Sequence, residues 1–149
     1  MKKIVIAILA IFAMTSVASA QIETLGVRGA FGTAAGAELS AQWGMGSNRL
    51  ETDLGWAGGP DWSYLNLSGI WQWKGEFGSG FGWFAGLGAN LGIYSGYYGG
   101  FGLGLAAQAG LEYNFSIPLQ LTLDVRPSWS FLGYSGFGWG AALGIRYRF

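Results

Sequence analysis

The stretch Trp83-Phe84-Ala85-Gly86-Leu87-Gly88-Ala89-Asn90-Leu91-Gly92-Ile93, with its sequel Phe101-Gly102-Leu103-Gly104-Leu105-Ala106-Ala107-Gln108-Ala109-Gly110-Leu111-Glu112-Tyr113, decides the fold. In the first, Trp83, Ala85, Leu87, Ala89, Leu91 and Ile93 alternate with Phe84, Gly86, Gly88, Asn90 and Gly92. In the second, Phe101, Leu103, Leu105, Ala107, Ala109, Leu111 and Tyr113 alternate with glycine, Ala106, Gln108 and Glu112. A period of two is the mark of a strand whose two faces meet different surroundings. Membrane helices also carry small-residue seams, but those recur every fourth residue.

Six further runs show the same period. Leu25, Val27 and Phe31 oppose Thr24, Gly26, Arg28 and Ala30; Ala37, Leu39, Ala41, Trp43 and Met45 oppose Glu38, Ser40, Gln42 and Gly44. Leu50, Thr52, Leu54 and Trp56 oppose Glu51, Asp53 and Gly55, and Leu65, Leu67, Trp71 and Trp73 oppose Asn66, Ser68, Ile70 and Gln72. Leu119, Leu121, Leu123, Val125 and Trp129 oppose Gln120, Thr122, Asp124, Arg126 and Ser128. Finally Trp139, Ala141, Leu143, Ile145, Tyr147 and Phe149 oppose Gly138, Gly140, Ala142, Gly144, Arg146 and Arg148. Turn chemistry is expected at Thr33 to Gly36, Gly46-Ser47-Asn48, Gly58-Gly59-Pro60-Asp61, Gly75 to Gly80, Gly96 to Gly100, Ser116-Ile117-Pro118 and Gly133 to Gly136. Pro127 falls inside a run, which predicts a strand end or a bulge there.

The polar face is glycine, serine, asparagine and glutamine rather than the Lys, Glu and Asp of a water-facing sheet. Arg28, Glu38, Glu51, Asp53, Glu112, Asp124, Arg126, Arg146 and Arg148 all lie on it. Such a face suits a crowded interior, and the apolar face then meets lipid. In hydrocarbon an open sheet edge leaves backbone groups unpaired, so the first and last strands must pair. The expected fold is therefore all-β: a closed eight-stranded antiparallel up-and-down transmembrane β-barrel. Eight strands leave an interior that side chains just fill, and buried charges there must be paired. A lumen charge network of Arg28, Glu38, Glu51, Asp53, Glu112, Asp124, Arg126 and Arg146 is the expectation.

With both termini at the periplasmic side, Trp43, Trp71, Trp73, Trp83, Tyr113, Phe115, Tyr147 and Phe149 fall at that end. Phe31, Trp56, Phe101, Trp129, Phe131, Phe137 and Trp139 fall at the other. Two aromatic belts, one per interface, are what a bilayer-spanning barrel presents.

Ahead of the barrel, Met1-Lys2-Lys3 precedes an apolar run from Ile4 to about Met14 and the small-residue exit Ser16-Val17-Ala18-Ser19-Ala20. This pattern is a secretory signal, with cleavage expected after Ala20; the run is too short for a membrane helix, which needs about 20 apolar residues. Residues 1–20 are thus the signal and 21–149 the barrel domain, 149 − 20 = 129 residues. Removing Lys2 and Lys3 leaves six basic against eight acidic residues, no basis for nucleic-acid binding. Charged residues make up 11% of the chain, against about 25% in soluble proteins, beside 28 glycines and 17% aromatics. There is no cysteine to staple an exported domain.

From Leu65 to Phe149 the chain resembles the small outer-membrane β-barrel proteins common in Bacteroidetes-type bacteria, a porin-like barrel family. The resemblance rests on Leu67-Ser68-Gly69-Ile70-Trp71-Gln72-Trp73, on Trp83-Phe84-Ala85-Gly86-Leu87-Gly88-Ala89, and on Leu111-Glu112-Tyr113-Asn114-Phe115 through Leu123-Asp124-Val125-Arg126-Pro127. The ending Ile145-Arg146-Tyr147-Arg148-Phe149 resembles the C-terminal signal of such barrels. That resemblance implies that Tyr147 and Phe149 are read by the barrel assembly machinery. Most family members lack an assigned activity, so it implies an address more than a task.

The chemistry available is narrow. Without histidine or cysteine the usual nitrogen and sulfur metal sites are absent and no Ser–His–Asp arrangement can form. Glu51 and Asp53 share a face, a candidate acid–base pair, but neighbouring arginines favour a structural network. Asp124 and Arg126 are expected to pair with each other or with adjacent strands. The inter-strand aromatics Trp62, Tyr97, Tyr98 and Tyr134 suit either a ligand surface or lipid headgroups. The expectation is a monomeric, non-enzymatic, cofactor-free integral protein of the outer membrane, in contact with its lipids and structural or surface-interacting. The alternative is a narrow porin-like channel for water, ions or very small solutes; a secreted soluble ligand-binding barrel is a third reading.

Overall fold

The computed structural model describes residues 2–4, 21–32, 36–95, 100–132 and 136–149. The expected cleavage point after Ala20 lies outside them, as do Tyr97, Tyr98 and Tyr134. Each alternating run is a strand: β1 (Gln21–Gly32), β2 (Gly36–Met45), β3 (Asn48–Gly59), β4 (Trp62–Gly78), β5 (Phe81–Ser95), β6 (Gly100–Asn114), β7 (Leu119–Leu132) and β8 (Gly136–Arg148). Every strand pairs antiparallel with its sequence neighbours, and β1 pairs with β8 from Thr24↔Arg148 to Gly32↔Gly140. The sheet is a closed eight-stranded up-and-down barrel.

The two faces separate as the period of two requires. Leu87, Leu105 and Trp129 are 60, 61 and 61% exposed on the outside, whereas Glu51, Asp53, Gln42 and Gln72 are fully enclosed. Among the described residues the buried apolar side chains are Ile70, Phe84, Ala106 and Ala142. The rest of the interior is polar or charged, the reverse of a water-soluble domain.

The turns are tighter than their glycines suggested. Gly58 and Gly59 belong to β3, pairing with Ser63 and Trp62, and leave Pro60-Asp61 as the link. β4 runs on through Gly75 to Gly78, so the β4–β5 turn is Ser79-Gly80 alone, with both φ angles positive (56° and 87°). Two successive left-handed residues match the twist of a two-residue hairpin. Gly75 is a strand residue for a packing reason: a Cβ there would stand 2.3 Å from Trp83 Nε1, so the indole lies across it. Phe77 is an extra residue in this hairpin, where the register shifts between Glu76 and Gly78.

Pro127 neither ends β7 nor shifts its register. Ala106↔Ser128 and Ala109↔Val125 lie either side of it in one register with β6, and Pro127 itself pairs with Trp139 of β8. The register shift in this wall comes between Leu103 and Gly104, where Phe131 is the extra residue.

Candidate functional site

The barrel interior gathers its polar side chains around Glu51 on β3. Glu51 Oε2 accepts from Gln42 Nε2 and Gln72 Nε2, both at 2.9 Å, and Oε1 from Gln108 Nε2 at 3.2 Å and Arg126 Nη2 at 3.1 Å. Arg146 Nη2 on β8 approaches Oε2 at 3.4 Å. Donors from β2, β4, β6, β7 and β8 therefore meet one carboxylate, which joins opposite walls of the lumen.

Beside this hub, Arg126 also donates to Asp53 and stands 3.8 Å from Glu38. Arg28 on β1 donates to Glu38 and, through two nitrogens, to Asp124 on β7. Asp124 and Arg126 thus pair with other strands and not with each other. Glu51 and Asp53 share Arg126, the arrangement of a structural network. Arg146 donates to Ser40 Oγ at 3.0 and 2.8 Å and to Thr122 Oγ1 at 2.7 Å. Gly144 makes room for it, because a Cβ there would lie 2.8 Å from Arg146 Nη1. All eight residues expected in the lumen are buried there.

Arg49 was not among them. It is 2% exposed, donates to Gln72 Oε1 and, at 3.0 Å, to Glu112 Oε2, and its guanidinium stands 5.1 Å from the centre of the Phe84 ring. The signal that finds it is parity: 49, 51 and 53 share one face, but residue 49 adjoins the Gly46-Ser47 turn and reads as loop. Arg148, also on the glycine face, is half-buried and donates to the Phe115 carbonyl at 2.8 Å, tying the last strand to the β6–β7 turn.

The buried guanidiniums are Arg28, Arg49, Arg126 and Arg146, and the buried carboxylates are Glu38, Glu51, Asp53, Glu112 and Asp124. Four cations thus face five potential anions, all of them buried. Asp53 Oδ1 and Arg126 Nε are enclosed without a hydrogen-bond partner among the described residues. Below the network, at the end that carries the termini, a vestibule of about 730 Å³ is lined by Glu23, Arg49, Lys74, Glu76, Glu112 and Arg148, among others. A small space of about 20 Å³ lies beside Glu38, Tyr64 and Asn66, room for about one water molecule. No group of three or more acidic side chains among the described residues is arranged to hold a metal ion.

On the outer surface Trp43, Trp71, Trp73, Trp83, Tyr113 and Tyr147 sit toward the end with the termini, and Trp56, Trp129 and Trp139 toward the other. Trp43 Nε1 donates to Thr52 Oγ1 at 3.0 Å, which keeps its polar edge satisfied on an apolar face. Tyr147 and Phe149 pack edge to face with ring centres 5.2 Å apart, and Phe149 is 71% exposed.

No family model matches the chain, and no curated protein matches it in sequence. Solved structures do match in shape. Neisserial surface protein A (NspA) aligns at a TM-score of 0.61 with 14% identity, covering 87% of this chain and 96% of that one. A major outer membrane protein from Thermus thermophilus aligns at 0.68 with 12% identity, covering 89% and 100%. The outer membrane enzyme PagL aligns at 0.50 with 10% identity, covering 87% and 100%. A surface protein, a major membrane protein and an enzyme share this architecture, so the likeness is one of fold: the chain is an eight-stranded antiparallel barrel of the kind found in those outer-membrane proteins.

Proposed function

We propose that the chain is an integral protein of the bacterial outer membrane, of the small Bacteroidetes-type barrels, exported with a signal removed after Ala20. Its barrel is non-enzymatic and cofactor-free, works as a monomer, and serves a structural or surface-interacting role. The observation that carries this reading is the Glu51 hub, which fills the lumen from wall to wall beneath an outer surface of exposed leucine and tryptophan. An apolar exterior around a polar interior is the arrangement that lipid stabilises and water does not. The exposed Phe149 at the end of β8 supports recognition of the last strand by the barrel assembly machinery.

The polar vestibule at the end with the termini favours a second reading, a narrow channel for water, ions or very small solutes. The two differ in what the Glu51 layer does to current. Outer-membrane fractionation with gels run before and after boiling tests the membrane assignment, since a folded barrel shifts in mobility on heating. Planar-bilayer recording of the folded protein then separates the readings. A filled lumen gives no unitary steps, and steps that survive purification from native porins would establish the channel instead.

A further inference from the structure

The wall between β6 and β7 differs from the others in the middle of its span. Its ladder holds Gly104↔Ser130, Leu105↔Trp129 and Ala106↔Ser128, then resumes at Ala109↔Val125; the pairs that would set Ala107 against Pro127 and Gln108 against Arg126 are missing. The β4–β5 and β5–β6 ladders run without a gap through the same part of the barrel, from Leu67↔Leu91 to Trp71↔Leu87 and from Leu87↔Ala107 to Leu91↔Leu103.

The cause is stereochemical. Antiparallel neighbours alternate between pairs that exchange N–H···O bonds and pairs that do not. Proline has no N–H, so Pro127 can pair with Trp139 only as the second kind. Its nitrogen and carbonyl then point the other way, toward β6, and the register places Ala107 opposite. The Ala107 carbonyl loses its ladder donor at the midpoint of β6, the depth at which an unpaired backbone group is most expensive in a membrane. Three further features weaken the same place. The register shifts a few residues along, at Leu103/Gly104. On the lumen side Arg126 Nε, next to the proline, is enclosed without a partner among the described residues. The inward residues above it are Gly104, Ala106, Ser128 and Ser130, too short to reach across and clamp the two strands.

We infer that the barrel wall opens transiently between β6 and β7 at Ala107 and Pro127, admitting lumen water to the unpaired carbonyl. Small outward side chains, Ala107, Ala109 and Val125, let the strands part there without dragging large groups through lipid. The inference uses the membrane reading only for the cost of the unpaired carbonyl; the gap itself belongs to the chain.

Amide hydrogen exchange on the mature protein folded in detergent micelles and in lipid vesicles tests this. The amides that face this wall, those of Leu105, Ala107, Ala109, Val125 and Trp129, are expected to exchange at least tenfold faster than those of residues 67–71 and 87–91. In the Pro127→Val variant, which restores the donor, they slow about tenfold while the β4–β5 amides stay unchanged. The contrast between walls in the unaltered protein needs no variant, so the inference is decided even where Pro127→Val fails to fold. Equal exchange in the two walls, or fastest exchange at the β1–β8 seam, overturns it. A chain that shows the contrast in micelles but never enters vesicles would leave this inference standing and remove the membrane reading.

Discussion

Replacing Glu51 by alanine removes the acceptor on which five side chains converge. Arg126 and Arg146 each lose a buried ion-pair partner. Gln42 Nε2 and Gln108 Nε2 donate to no other side chain among the described residues, whereas Gln72 Nε2 keeps Gln108 Oε1 at 2.6 Å. Breaking a buried ion pair by deleting one partner costs about 3–5 kcal/mol. Each amide left buried without an acceptor adds about 1–3 kcal/mol, less than additively within one network. E51A should therefore lose roughly 4–6 kcal/mol, much of the stability of a domain this size. D53N is the control. Asp53 uses one oxygen on Arg126 while the other has no partner, and the lumen already holds one carboxylate more than it holds guanidiniums. An amide keeps the used acceptor and removes the surplus charge, so D53N should change stability by about 1 kcal/mol or less. Both variants are to be refolded into vesicles, with urea midpoints followed by tryptophan fluorescence and the heat-shifted band read across a temperature series. Equal losses in the two, or a loss below about 1 kcal/mol in E51A, would refute a network organised around Glu51.

The remaining predictions concern the walls. L105R places a charge on an outward position that is 61% exposed; in a bilayer it should cost about 2–4 kcal/mol, measured as folded fraction in vesicles. An unchanged folded fraction would mean that the outer face does not meet lipid. G88A would set a Cβ 1.9 Å from the Gly69 carbonyl oxygen, a backbone clash between β5 and β4, and should abolish the heat-shifted band. G69A, on the outer face with nothing within 4 Å of its Cβ, should keep that band, and loss of the band in both variants would assign the effect to glycine content and not to the clash.

Strand faces were legible because they depend only on parity: once Leu87 is outside, Gly86 and Gly88 are inside, and no partner need be known. The same rule reaches Arg49, which local turn chemistry at Gly46-Ser47 obscured. Glycine misled at Gly58, Gly59 and Gly75 because two demands use the same residue. A turn needs its φ freedom, whereas Gly75 is there to lie beneath the Trp83 indole. Pro127 misled for a related reason. In an isolated strand a missing donor means an end or a bulge, but here one neighbour, β8, never asked for that donor. The partners of each charge were out of reach. Parity places Arg28 and Asp124 in the lumen, but the direction in which a side chain crosses it depends on curvature and tilt, which belong to the closed sheet.

Closure and the lumen network are one problem. The β1–β8 seam pairs the first and last strands of the barrel, so it closes the longest loop and carries the largest loop entropy. It is also built from thin strands: Gly26, Gly29 and Gly32 face Arg146, Leu143 and Gly140. Gly26 sits so close to β8 that a Cβ there would lie 2.1 Å from the Ile145 carbonyl oxygen. Backbone pairing alone holds such a seam with little side-chain packing. The ion pairs span it from inside. Arg28 on β1 reaches past β8 to Asp124 on β7, and Arg146 on β8 reaches past β1 to Ser40 on β2 and Glu51 on β3. In an open sheet Arg146 would lose Glu51, and Arg28 would keep Glu38 on β2 but lose Asp124. The buried charges that cross the lumen are then groups that favour the closed barrel, and a lumen emptied of them would lose bonds that hold its seam.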